Sequence, residues 1–334
     1  MILKQLKQNG IEAVIITFLI VAAMSVSMFY PATVQHIEIP ENGTLLFNSL
    51  YEKFFGGVSH LTQIAALLMM ATEAVLIAVM NLNYELTRAK GTLLILIFSM
   101  VSLSYIPLNT LLPEQIANIF ITLGIIKVLS SHSVDKAEFM FFDAGLFFGL
   151  AALFCVPATF MLIIGIIALI IYRPYRFNEF AVYLIGFFTP LLFYVSGYYY
   201  FESTMQPVWD CYKAAFQIHG AAYGNLSEPE IISFGLYFVM IASASVFILQ
   251  EYPKYNLFAS RTYKMFFIIF VLTLLIAVSR QFSLQVMRLS VMPLTMLYVT
   301  VFHNFSSKRT LFAEIFFTVF VAIHAGAQAL WFAA

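Results

Sequence analysis

Six side chains in this sequence have the type and position to do chemistry: Glu38, Glu41, Glu73, Arg280, Arg288 and His324. Arg280 and Arg288 flank the short segment Gln281-Phe282-Ser283-Leu284 between two apolar runs. Two guanidiniums at such a turn present planar donor forks suited to a phosphate or diphosphate at the level of lipid headgroups. The same pair would equally cap helix carbonyls, meet a loop acid such as Glu202, or touch ordinary lipid. Glu38 and Glu41 precede the second apolar run. Either would serve as general base toward a hydroxyl, or hold a divalent metal ion. Solvated loop acids fit them as well, with Glu41 near the start of a short helix where a carboxylate is favoured. Glu73 falls well inside an apolar run, where a charged carboxyl costs about 2.5 kcal/mol or more. His324 shares a helix face with Gln328 at four-residue spacing. Glu73 and His324 suit either a proton or substrate path or hydrogen bonds that join helices.

The elements that must position these groups are set by composition. Of 334 residues, 62% are hydrophobic and 10% charged, with mean hydropathy +0.90. A soluble domain carries roughly 25% charged residues, so this chain lacks the charge to coat a water-facing surface. Apolar runs long enough for roughly 30 Å of hydrocarbon recur from end to end. Lipid-exposed backbone must satisfy its own hydrogen bonds, and the runs are too long and uniform for barrel strands. The expected fold is all-α: one transmembrane domain over 1–334, a polytopic bundle of about eleven helices. The spans fall near 11–30, 59–82, 91–107, 114–130, 139–155, 157–172, 179–201, 231–250, 265–281, 285–302 and 311–332.

Basic residues orient the bundle, because cytoplasmic loops collect Lys and Arg. A cytoplasmic N-terminus puts all of them inside except Lys53, Lys213, Arg280 and Arg288, and leaves the C-terminus outside. The first run, after Lys4 and Lys7, lacks a small-x-small cleavage site and reads as a retained helix in a multi-pass inner-membrane protein. Outer loops 31–58 and 202–230 carry structure of their own. The first holds an amphipathic helix from about Glu41 to Phe55, with Leu45, Leu46, Leu50, Phe54 and Phe55 on one face. The second carries the interfacial aromatics Trp209, Tyr212, Phe216 and Tyr223. Gly145 and Gly149, four residues apart, predict close helix packing, with Asp143 meeting Arg88, Lys90 or Lys136.

Several functions are excluded or disfavoured. Zero net charge gives nucleic acid no electrostatic footing. No phosphate-binding glycine loop supports an ATP-driven pump, and there is no nucleophile elbow. Cys155 and Cys211 fit no metal or redox spacing, so no cofactor is expected beyond a possible divalent ion at the loop acids.

The segment Phe142-Asp143-Ala144-Gly145-Leu146-Phe147-Phe148-Gly149-Leu150-Ala151, with Arg173-Pro174, Gly186, Pro190 and Lys308-Arg309 to Glu314, resembles a family of uncharacterised polytopic membrane proteins of Bacteroidota over about residues 80–330. More broadly, the layout is similar to GT-C type glycosyltransferases that use polyprenyl-phosphate-linked sugars. That resemblance implies Glu38 or Glu41 as the catalytic acid, Arg280 and Arg288 as the phosphate clamp, and undecaprenyl-phosphate-sugar as lipid partner at the outer face. The first loop is shorter than in those enzymes and lacks their acidic pair. A non-catalytic subunit of an envelope-biogenesis complex, with protein partners in the membrane, and a lipid or solute transporter are the other expectations.

Overall fold

The computed structural model describes residue 6 and residues 11–26, 44–55, 59–87, 89, 91–105, 111–173, 177–216, 228–251, 257–279, 284–308 and 310–333. Among these residues 92% are helical and none is in a strand. The helices are α1 (Ile11–Val26), α2 (Phe47–Phe55), α3 (Ser59–Tyr84), α4 (Gly91–Tyr105), α5 (Pro113–Ser130), α6 (Glu138–Phe154) and α7 (Met161–Tyr172). After them come α8 (Phe177–Glu202), α9 (Gln206–Phe216), α10 (Glu228–Glu251), α11 (Leu257–Ser279), α12 (Val291–Lys308) and α13 (Thr310–Ala333). Two single turns, Leu284–Met287 and Arg288–Ser290, lead into α12. A helix stands at each of the eleven expected spans. Four of them are long and apolar enough to cross a membrane: 61–84, 113–133, 177–202 and 257–277.

The faces of these helices are inverted relative to a soluble protein. On α3, Leu61, Ile64, Leu68, Val75, Val79 and Leu82 point outward and are exposed, at helical spacing. The opposite face buries Thr62, Glu73 and Asn81 among Ala66, Met70, Ile77 and Met80. The same holds on α11, where Phe267, Val271 and Leu275 are exposed and Thr262 and Thr273 buried. An outward apolar face with polar groups inside suits hydrocarbon as the surrounding solvent.

Helices α4 and α12 form the centre. Every side chain from Val286 to Phe302 is buried, and α4 is buried nearly all round from Leu93 to Leu103. Helix α4 packs against α1, α3, α10, α12 and α13. The tightest pairing is α6 on α8. A Cβ on Gly145 would strike the Tyr183 carbonyl, one on Gly149 the Phe187 carbonyl, and one on Gly186 the Phe142 carbonyl. The backbones touch because small residues line the seam, as the four-residue spacing predicted.

Three features differ from expectation. Helix α11 begins at Leu257, eight residues before the predicted span. Arg261 and Lys264 end the apolar count without ending the helix, since long cationic stems run along a helix into the interface. The first-loop helix begins at Phe47, because Thr44 to Leu46 are tied to other helices instead: the Leu45 and Leu46 amides donate to the Leu153 carbonyl at 3.2 and 3.1 Å, and the Tyr194 hydroxyl donates to the Leu45 carbonyl at 2.7 Å. Asp143 pairs with Lys127 at 2.7 Å rather than with Lys136, while Arg88 and Lys90 lie outside the described residues. Lys127 lies on the antiparallel neighbour α5, a partner no local spacing rule identifies.

Candidate functional site

Arg288 sits in the turn before α12 and is 2% exposed. Its Nη2 donates to the Ser102 carbonyl at the end of α4, at 3.1 Å. Asn118 on α5 donates from Nδ2 to the Arg288 carbonyl at 2.9 Å. The first bond holds the guanidinium against α4, and the second ties the backbone of the turn before α12 to α5. Among the described residues Glu114 and, more weakly, Glu73 are acids that act on it. The acids are 3% and 4% exposed.

The register of the helices explains why these groups meet. The Tyr84 hydroxyl, at the end of α3, donates to the Ile126 carbonyl of α5 at 3.2 Å, so α3 and α5 run parallel. Residues 73 and 115 lie equally far back from that bond, which brings Glu73 level with the first turn of α5. A second tie is consistent with this. The Tyr263 hydroxyl of α11 donates to the Leu86 carbonyl at 2.7 Å and bonds the Thr300 hydroxyl of α12 at 3.0 Å. Arg288 lies about 18 Å from Thr300, and Glu73 roughly 16 Å from Tyr84, at the α-helical rise. All three charges therefore share one depth within the bundle.

The start of α5 is shaped for this. Pro113 occupies its first turn, where a missing N–H costs nothing. Gln115 Oε1 accepts from the Leu112 amide at 3.0 Å. Glu114, Asn118 and Thr122 follow at four-residue spacing on one buried face. That stripe is readable in the sequence. Glu114 was not singled out because it lies at the edge of an apolar run, where acids are ordinary.

Of the six residues named from sequence, Glu73 and Arg288 are brought together, and Glu38, Glu41 and Arg280 lie outside the described residues. His324 is buried on α13. Its Nδ1 is 2.8 Å from the Phe320 carbonyl, and its ring lies against Phe320 with centroids 4.0 Å apart. Phe320 stacks on Tyr298 of α12 at 5.2 Å. His324 is thus one turn nearer the Arg288 level than Tyr298, roughly 9 Å short of it along the axis. It does not join the charge cluster. Its Nε2 has no hydrogen-bond partner among the described residues.

The two loop helices dock at the same end of the bundle. The Phe154 end of α6 lies beside Phe120 near the start of α5, with rings stacked at 5.6 Å. Leu45 and Val208 pack there against Leu153 and Val156, so α2 and α9 flank one corner. The Cys211 thiol reaches the Thr44 carbonyl at 3.6 Å. At the opposite end, Arg173 donates to the Asp135 carbonyl at 2.9 Å, to the Ser131 carbonyl, and to Glu179 at 3.3 Å. Among the described residues, no group of three His, Cys, Asp or Glu side chains could hold a metal ion. In comparisons with family models, curated proteins and solved structures, nothing matches this chain.

Proposed function

We propose that this chain is a multi-pass protein of the cell inner membrane, N-terminus cytoplasmic and C-terminus outside, working as a transporter or flippase for a lipid or small solute. One observation carries this reading. Two carboxyls and one guanidinium are buried together in the interior of a bundle whose outer faces are apolar. Ionisable groups inside membrane-spanning segments face bundle interiors or pathways, and they mark transport routes. With two acids around it, Arg288 is a poor clamp for a phosphate, because the acids repel an anion.

The test uses full-length protein in phosphatidylethanolamine–phosphatidylglycerol vesicles carrying a fluorescent phosphatidylglycerol, with dithionite added outside. Bleaching beyond the outer-leaflet plateau is expected for the wild type, and bleaching only to the plateau for Arg288→Gln. Equal bleaching by both forms overturns the role given to the cluster.

A second reading is favoured by a separate observation. The described end of the first outer loop and helix α9 meet at the same end of the bundle as Glu114 and Arg288. A GT-C-like transferase using an undecaprenyl-phosphate-sugar needs that juxtaposition, with Glu38 or Glu41 as base and Arg280 with Arg288 toward the phosphate. Sugar transfer from such a donor by the protein in detergent, where no leaflet exists, would decide for the transferase and against transport.

A further inference from the structure

Helices α3 and α5 pack together, and three side chains on their seam keep a polar atom with no hydrogen-bond partner among the described residues: Glu73 Oε1, Gln115 Nε2 and Thr122 Oγ1. Their residues are 4%, 5% and 0% exposed. The bond from the Tyr84 hydroxyl to the Ile126 carbonyl turns the Tyr84 face of α3 toward α5. Glu73 stands eleven residues before Tyr84, close to three full turns, and so lies on that face. Gln115 stands eleven residues before Ile126, which sets it at the depth of Glu73. Thr122 follows two turns later on the same stripe, about 10 Å along the axis.

These atoms are left over for reasons the neighbouring bonds make plain. The Gln115 amide is fixed by its other end, because Oε1 accepts from the Leu112 amide at 3.0 Å. Nε2 is therefore a donor with nothing to donate to. Four other buried threonines, Thr262, Thr273, Thr295 and Thr300, donate to the carbonyl four residues back at 2.7 to 3.0 Å. Thr122 makes no such bond. Buried polar groups are as a rule paired with protein, water or ligand, so three orphans on one seam point to an occupant. An anion would meet the Glu73 carboxyl. A cation would meet the donor hydrogens of Gln115 and the positive charge of Arg288, which acts on Glu73. A neutral hydroxyl donates and accepts at once and suits all three groups.

We propose that the α3–α5 seam is a binding site for neutral hydroxyl groups, which bridge Glu73 to Gln115 and meet Thr122 further along. A small polyol supplies several hydroxyls on one molecule, and water supplies them singly. This deepens the transport reading by naming the chemistry of the solute, and rests on that reading for its purpose. Occupancy of the seam does not.

The experiment uses full-length protein in phosphatidylcholine nanodiscs, which carry no glycerol headgroup. One arm measures saturation transfer from the protein to added glycerol by nuclear magnetic resonance. The other records the O–D stretch of internal water by infrared spectroscopy in deuterium oxide. Transfer that saturates with glycerol concentration identifies a polyol site, and an internal O–D band without transfer identifies water. Whichever signal the wild type gives is expected to vanish in Glu73→Met and to weaken several-fold in Thr122→Val, both close to the native shape. Neither signal in the wild type, or a signal unchanged in Glu73→Met, overturns the proposal. Hydroxyl binding without lipid movement would sink transport alone, whereas lipid movement with neither signal sinks this site alone.

Discussion

Replacing Arg288 by Gln tests the charge cluster in its energetic aspect. The substitution removes a buried cation and takes from Glu114 and Glu73 the positive charge that acts on both. Removing one member of a buried pair costs about 3–5 kcal/mol. An independent bound comes from proton uptake. A free glutamate titrates near 4.3, so holding it protonated at neutral pH costs about 4 kcal/mol, and no stranded carboxylate can cost more than that. The bond from Nη2 to the Ser102 carbonyl adds about 1 kcal/mol. The sum is about 4–5 kcal/mol. The sign with pH follows: each unit of acidification lowers the uptake cost by about 1.4 kcal/mol, so the deficit of the variant shrinks toward acid. Glu114→Gln in the same chain removes one of the two carboxylates that lost this attraction, so the double variant should recover up to about 3 kcal/mol. The assay is unfolding in mixed micelles followed by circular dichroism, for both single variants and the double. Additive single effects, or an Arg288→Gln deficit independent of pH, would refute the reasoning.

Two further outcomes follow from the packing and the rim pairs. Gly149→Leu drives a side chain into the Phe187 carbonyl across the α6–α8 seam. The two backbones must part, with a loss of about 1–3 kcal/mol and new cross-linking of paired cysteines placed on the two helices; unchanged thermal unfolding would contradict the contact. The two ion pairs should separate sharply. Arg173→Ala strands Glu179, in a pair whose side chains are 12% and 2% exposed, and should cost about 3–5 kcal/mol. Lys127→Ala breaks a pair that is 35% and 41% exposed and should cost under about 1 kcal/mol, less in high salt. Denaturant titration of both variants at two salt concentrations checks the contrast.

How much of this was legible in the sequence depends on the range of the interaction concerned. Helix positions follow from continuous apolar runs, and a helix lies at each predicted run, four of them long and apolar enough to cross a membrane, because a run and its helix are the same local object. The Gly145–Gly149 seam was equally legible, since small residues at four-residue spacing face one neighbour. Glu73 was recognised as buried from its depth in a run. Its partners were not, because Glu114 and Arg288 are brought to it by parallel registers set through the bonds of Tyr84 and Tyr263. Those tyrosines look like any interface aromatic in the sequence. Arg288 was expected at headgroup level on the positive-depleted side. Its burial follows from the short turn Arg288–Ser290, which tucks it beneath the end of α4, and nothing in the local sequence separates that turn from a surface one.

The hydrogen bonding of the buried acids separates structural bracing from function in this molecule. Lys127 with Asp143 and Arg173 with Glu179 each set one base against one acid. Both lie toward the ends of helices, where partial exposure or backbone carbonyls complete the balance. Helices α4, α5 and α12 are already tied at this depth by the bonds from Arg288 to the Ser102 carbonyl and from Asn118 to the Arg288 carbonyl. Glu73 adds desolvation cost without adding a tie, since its Oε1 accepts no hydrogen bond among the described residues. Glutamine has the same shape and carries no ionisable proton, so at a purely structural position it would hold the bundle at least as well. The one property of Glu73 that Gln lacks is the ability to gain and lose a proton. If Glu73→Gln leaves lipid movement and growth of the host cell unaltered while stability rises, the carboxyl has no working role, and the case for a site at this depth falls with it.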